Sequence, residues 1–418
     1  MNLISHNLIE RNSLISSNPI SIIARMFLIF LIFFSANCKI QSEEEGRDKL
    51  DEYFKDTILE SKYIKSASIL IRSPSLNFQF ANAYERPGVE SDESQLKPLD
   101  NPTLIPFHIA SVGKIFTSVL ILREIEKGKL DLDTKIISIL GKDFLRELFV
   151  FEGVDYSNEV TIRQLLNHTS GLPDYFESFN SNEERMIDLI KKDRNRFWTP
   201  KDLLNYTREN QSAVGIPGKQ FHYSDTGYIL LGLLLEKLNG SSWEDQLKQE
   251  IFLPLNMQNT YVHLRSKPLV SNPYPLSTIM LDEADLTKAD SVSADWAGGG
   301  IISTTNDLFL FQNALVSGKI IRLETYESMK GEYLFHDGIF YGLGLMTLDF
   351  GAMSFFMPKT AIFYGHSGIL GTHLFYSPKL DMHIILNIGS SHDMESSFEL
   401  LFYIVRILEN ISELKTSL

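Results

Sequence analysis

Only one of the 418 residues is a cysteine, Cys38, so no internal disulfide can staple the chain and the fold must hold by packing. Tryptophan is scarce at 3 residues, but 28 Phe and 16 Tyr keep the aromatic share at 11% within a hydrophobic share of 44%, ample for a large core. Basic residues are the minority: 39 Lys and Arg face 53 Asp and Glu, a net charge of −14. Nucleic acid is held by clustered Lys and Arg that displace counterions, and no such cluster occurs, which excludes it and leaves small molecules or proteins as partners. There is no H-E-x-x-H and no cysteine cluster, so neither zinc nor any other metal is expected. Gly298-Gly299-Gly300 lacks a following Lys-Ser or Lys-Thr and reads as a tight turn, not a phosphate cradle; no cofactor is expected.

Long apolar runs are also few. The clearest, MFLIFLIFF at 26–34, is preceded by Arg25 and followed by Ser35 and Ala36, the layout of a secretory signal. A spanning helix needs about 20 apolar residues, so export is the expectation unless residues 20–24 extend the run. The 25 residues before Met26 are long for a signal's basic segment, which suggests a misassigned start codon. Cys38 follows in FSANC, which resembles the lipobox of bacterial lipoproteins, with Asn37 where Gly or Ala is usual. The expected organisation is a signal segment over 1–37, a lipidated Cys38 with a polar tether over 38–48, and one domain over 49–412 anchored at the cell envelope. An ordinary signal with a free thiol is the alternative.

Within that domain GRDKLDEYFKDTILES spaces apolar residues as an opening helix does, and SASILIRS and NFQFANAY read as strands. The middle, about 111–260, is mostly helical in pattern. Short β-rich runs follow, TAIFYGHS, THLFYS and MHIILNI, then a closing amphipathic helix, SSFELLFYIVRILENI. Strands at both ends with helices between predict a sheet built from remote parts of the chain, flanked by terminal helices.

The chemistry concentrates in FHIASVGKIF. Ser111 and Lys114 stand three apart where a helix-like run begins, and residues i and i+3 lie on one helix face about 5 to 6 Å apart at Cβ. A serine hydroxyl is protonated at neutral pH, so a nucleophilic serine needs a base in reach and donors for the developing oxyanion. Ser-x-x-Lys by itself is common and usually means a cap and a surface lysine.

Ser111-Val112-Gly113-Lys114 resembles the first signature of the serine β-lactamase and penicillin-binding-protein superfamily. LLNHTSGLPDY (165–175), HYSDTGYILLG (222–232), PLNM (254–257), AGGGIISTTNDL (297–308) and GHSGILGTH (365–373) continue the likeness in order, toward class C β-lactamases, D-Ala-D-Ala carboxypeptidases and esterases. The resemblance implies a mixed α/β (α+β) fold: an antiparallel sheet flanked by terminal helices plus a mainly helical subdomain, with the cleft between. It implies an acyl-enzyme at Ser111, Lys114 and Tyr223 as proton carriers, and an oxyanion hole at the N–H groups of Ser111 and Ile369. His366-Ser367-Gly368 stands where Lys-Thr-Gly is usual, with Gly368 letting substrate approach and His366 offering a donor or a pH-dependent charge. A nearby lysine cation is expected to lower the Tyr223 phenol. His168-Thr169-Ser170-Gly171 is expected to be a structural turn.

Two departures matter. Asp225 replaces an asparagine whose amide would donate to the substrate, and an ionised carboxylate has no donor; it is expected to pair with Lys114 instead. His366 replaces a permanent cation that would grip a carboxylate. Both favour a small ester or amide over a D-amino-acid peptide, and that over a β-lactam. Gly365-His366-Ser367-Gly368-Ile369 fails G-x-S-x-G, against an α/β-hydrolase. The alternative outside enzymes is a binding lipoprotein that keeps the fold without the chemistry.

Overall fold

Alternating burial along one strand shows how this molecule is layered. The computed structural model describes residue 40 and residues 42–87, 96–180, 182–331, 333–353 and 362–416. In β1 (Ser66–Ser73), Ile69 and Ile71 pack into one apolar cluster while Leu70 packs into another, as the two-residue period of a strand requires. β1 pairs with β2 (Phe78–Glu85), which pairs with β3 (Lys97–Pro98). On its other side β1 pairs with β12 (Met382–Asn387), from the far end of the chain, with Leu70 opposite Ile385.

The rest of the sheet comes from the C-terminal third: β7 (Tyr333–His336), β8 (Ile339–Tyr341), β9 (Met346–Asp349), β10 (Ile362–Gly368) and β11 (Thr372–Ser377). The nine-stranded order is β7-β8-β9-β10-β11-β12-β1-β2-β3, antiparallel throughout. A smaller sheet joins β4 (Phe107–His108), β6 (Ile301–Ser303) and β5 (Tyr261–Val262) in that order.

One face of the large sheet is covered by α1 (Glu43–Glu60) and α5 (Met394–Thr416), through Phe54 and Ile58 of the first and Leu401, Ile404 and Leu408 of the second. Tyr53 and Tyr403 stack at 4.0 Å between the two helices. The other face carries the helical region, with α2 (Gly113–Glu126), α3 (Asp225–Asn239) and α4 (Thr305–Val316). Phe116 of α2 stacks on Phe311 of α4 at 3.8 Å, both fully buried.

The fold therefore has the expected mixed α/β architecture. One boundary differs. Residues 43–48, assigned to a tether, are the first turns of α1, capped by the Ser42 hydroxyl accepting the Glu45 N–H, and Gly46 packs on Ile411. The charged run looked solvated, but Glu43–Arg47 and Glu45–Lys49 pair at i,i+4 along the helix. The signal segment and Cys38 lie outside the described residues.

Candidate active site

A single turn of 3₁₀ helix, Ala110–Val112, carries Ser111 into α2. Ala110 is held at φ 48°, a left-handed backbone that a side chain disfavours. The surroundings impose it: the Ala110 N–H donates to His108 Nδ1 at 3.2 Å, and Gly299 lies so close that a Cβ there would stand 2.4 Å from the Ala110 carbonyl oxygen. Gly113 likewise has no room for a Cβ, which would be 2.7 Å from Gly299 Cα. The glycine run thus wraps the nucleophile turn closely, a role beyond the tight turn expected for it.

One turn along, the Lys114 side chain is completely buried. Its Nζ donates to Ser111 Oγ at 3.2 Å, to the Gly298 carbonyl at 2.9 Å, and to Asp225 Oδ1, with which it forms an ion pair. The expected pairing of Asp225 with Lys114 is present. A Cβ on Gly298 would lie 2.8 Å from Asp225 Oδ1 and 3.6 Å from Lys114 Nζ, so only glycine admits this pair at its back.

Tyr223 precedes α3, with its phenol on the Ser111 side and its ring centroid 5.1 Å from Lys114 Nζ. Its ring is held by His168 at 4.2 Å, Phe335 at 5.4 Å and Tyr341 at 5.8 Å. His168 is an anchor: its Nδ1 accepts the Ser224 N–H at 3.1 Å and its carbonyl accepts the His222 N–H at 2.8 Å. Gly171 ends the same turn at φ 79°, where a Cβ would be 2.2 Å from the Gly215 carbonyl oxygen. That is the structural turn the sequence suggested.

Electrostatics correct the expectation for the phenol. Burial and the Asp225 charge push Tyr223 well above its ordinary value, so it stays protonated; the carboxylate offsets the lysine that was to lower it. The same causes, burial first and then Asp225, raise Asp174 and Asp295 to about 7. Asp174 Oδ1 accepts the Asp225 and Phe176 N–H groups at 3.0 and 3.3 Å, and Oδ2 accepts that of Glu177 at 3.0 Å. Neither acid was singled out in the sequence; the LPDY and SADW settings show no charge partner until the chain folds.

The β10 residues fall into two groups. Gly368 lies over the nucleophile turn: a Cβ there would meet the Ile109 carbonyl at 2.7 Å and the Ser111 nitrogen at 3.2 Å, which brings the Ile369 end of the strand to the Ser111 N–H. His366 is fully buried, its Nε2 bonded to the Tyr341 hydroxyl at 3.0 Å and its Nδ1 to the Ser367 carbonyl at 2.6 Å. Burial, reinforced by Lys114, lowers its imidazole to about 3, so it is neutral at physiological pH; of the two expected roles, donor or pH-dependent charge, the charge is ruled out. The Ser367 hydroxyl is also engaged, with His373 Nδ1 at 2.8 Å, and His373 Nε2 bonds Ser397 of α5 at 2.9 Å. Ser367 ties the strand to the terminal helix and presents no free hydroxyl for substrate. Tyr341, which holds His366, was missed because its strand is remote in sequence.

The family model for Beta-lactamase matches residues 88–407. The chain belongs to this family. Among curated members, it is 32% identical over 270 residues to Penicillin-binding protein 4* of Bacillus subtilis (strain 168), covering 61% of this chain and 54% of that one. It is 28% identical over 277 residues to the mitochondrial serine beta-lactamase-like protein LACTB of Homo sapiens, covering 50% and 47%. The chain thus spans about half the length of these relatives. Solved structures share the family fold over nearly their full length. The D-amino acid amidase from Ochrobactrum anthropi SV3 complexed with D-phenylalanine superposes with a TM-score of 0.67 at 20% identity, covering 87% of this chain and 99% of that one. EstCE1, a hydrolase with promiscuous acyltransferase activity, gives 0.64 at 21%, covering 88% and 99%. The proteins this beta-lactamase-family chain resembles thus include an amidase, a hydrolase with acyltransferase activity and a penicillin-binding protein.

Proposed function

We propose that this enzyme hydrolyses a small, uncharged ester or amide through an acyl group on Ser111. The observation that carries the reading is the convergence of Lys114 Nζ and the Tyr223 hydroxyl on Ser111 Oγ, beside the β10 end at Gly368. As Ser111 Oγ bonds to the substrate carbonyl carbon its proton passes to the Lys114–Asp225 pair and the carbonyl π pair becomes an oxyanion held by the N–H groups of Ser111 and Ile369; as the bond to the leaving atom breaks, Tyr223, a neutral phenol, protonates that atom.

Charge supports the substrate class. Lys114 is neutralised by Asp225 and His366 is uncharged, so neither offers a cation to a substrate carboxylate, as a β-lactam or a peptide C-terminus would need. Beside Ala110 and Ile369 opens a narrow, mostly apolar pocket lined also by Phe176, Ile190, Ile279 and Leu286, with Asp295 on its wall. Its volume, about 30 Å³, is that of a water-sized cavity, and the substrate ranking rests on charge. An ester or small amide therefore ranks first, a D-amino-acid peptide second and a β-lactam third. Export with a lipid on Cys38 belongs to the same proposal and rests on the FSANC pattern.

A fluorescent fluorophosphonate should label the protein, and Ser111→Ala should abolish the adduct; an adduct that persists, or none on the intact protein, overturns the acyl-enzyme. A p-nitrophenyl ester should be turned over far faster than nitrocefin, and the reverse ranking would overturn the substrate class. Radiolabelled palmitate in bacterial cells should enter the wild type and not Cys38→Ala.

A further inference from the structure

We infer that Asp225 is the proton store of this site, receiving a proton through Lys114 while Ser111 attacks and returning it as the leaving group departs. This rests on the acyl-enzyme reading. In the resting arrangement Lys114 Nζ faces three acceptors: Ser111 Oγ, the Gly298 carbonyl and the Asp225 carboxylate. An ammonium has three N–H bonds for them and no lone pair, so beside an ionised Asp225 it cannot take the serine proton. Tyr223 cannot take it either, since a phenolate next to the Asp225 carboxylate would be a second buried negative charge. The group left to accept a proton within the hydrogen-bonded chain is Asp225 itself.

The steps balance. A proton moves along the Lys114–Asp225 bond, leaving a neutral amine and a carboxylic acid; no net charge is created, and a buried pair loses its desolvation cost when both members neutralise. Rotation about Cε–Nζ turns the lone pair to Ser111. The Ser111 proton passes to Nζ as the Oγ–carbon bond forms and the carbonyl π pair moves onto oxygen. As the bond to the leaving atom breaks, Tyr223 protonates that atom and is reprotonated by Lys114, and Asp225 returns its proton to Lys114. Water repeats the sequence to release the acid. An asparagine amide at 225 could not take part, because it has no basic oxygen at neutral pH.

Asp225 acts through Lys114, so it is a positioning residue, and its test must separate proton uptake from architecture. With a p-nitrophenyl ester, Asp225→Asn should lower kcat about 100-fold while KM moves less than about 3-fold, the scale of general acid–base assistance. Asp225→Ala should recover at least about 10-fold in kcat on addition of sodium formate, and sodium chloride at equal ionic strength should not do this. Asp225→Asn with wild-type or higher kcat, or Asp225→Ala unmoved by formate while its melting curve shows a folded protein, overturns the inference. Should either variant melt early, Asp225→Glu, which keeps a carboxylate, should retain more kcat than Asp225→Gln; equal losses in that pair overturn the inference as well. Fluorophosphonate labelling of wild-type Ser111 is unaffected by these outcomes, so the proton store can fail while the acyl-enzyme stands.

Discussion

The two walls of the cleft solve opposite electrostatic problems. On the α2 and α3 side, Lys114 and Asp225 form a buried ion pair with Asp174 and Asp295 close enough to be raised by it. On the β10 side, His366 is buried just as deeply but sits by Tyr341 and His168, with no carboxylate among the described residues bonded to it. Equal burial gives an ion pair in one place and a neutral imidazole in the other, because the partner, not depth, decides whether a charge survives desolvation. Under the proposed function, charge serves to activate Ser111 and is withheld from gripping the substrate.

The strongest way to break that contrast is to remove the charged wall's cation. Lys114→Met should lower ester kcat about 1,000-fold and, by leaving Asp225 buried and unpaired, destabilise the fold by about 3 to 5 kcal/mol. Adding Asp225→Asn should restore much of the melting temperature and none of the activity; recovery of turnover in the double variant would contradict the role of Lys114. The converse is His366→Lys, which places a cation in the neutral wall. It should destabilise the protein by about 2 to 4 kcal/mol and raise the nitrocefin-to-ester ratio about 10-fold, read from melting curves and initial rates. An unchanged ratio would show that carboxylate grip is not what limits β-lactam turnover.

Smaller effects sharpen the comparison. The Asp295 carboxyl is raised to about 7, so the folded state holds its proton more tightly than the unfolded one. Its contribution is nil below about pH 4, destabilises increasingly as pH climbs toward 7, and is constant above. Asp295→Asn should therefore gain about 2 to 4 kcal/mol at pH 8 and almost nothing at pH 4, measured by denaturant titration at both. A gain independent of pH would point to packing instead. Tyr341→Phe removes the hydroxyl bonded to His366 and should cost about 1 kcal/mol of stability with a loss of about 3- to 10-fold in kcat/KM. Because His366 is held near 3, the pH profile between 5 and 8 should be the same in wild type and His366→Gln.

Much of this architecture could be read along the chain, and the misses have causes. SASILIRS and THLFYS are strands with the bounds their alternation and β-branched content suggested. Gly128 follows the end of α2 at φ 74°, the left-handed stop expected of a glycine there. The tether over 43–48 failed because charged residues spaced four apart serve a helix as well as they serve a solvated linker. The titration of Tyr223 and His366 failed because a pKa depends on burial and on neighbours brought from elsewhere: Asp225 for the first, Lys114 for the second. The partner of the Ser367 hydroxyl was not legible because a strand residue's neighbour is set by pairing, and the pairing opposite it supplies His373.

By itself the sequence determined the local geometry of the nucleophile. A serine and a lysine one helical turn apart approach each other wherever that helix forms, and the ordered motifs around them carry the family fold. What only the tertiary structure decided is which groups bear charge. Asp225 lies 111 positions from Lys114 along the chain, and Lys114, which with burial keeps His366 neutral, comes from a different element altogether. Spacing fixes what a single helix or strand brings together; the electrostatic state of a buried group is fixed by whichever distant segments the fold packs against it.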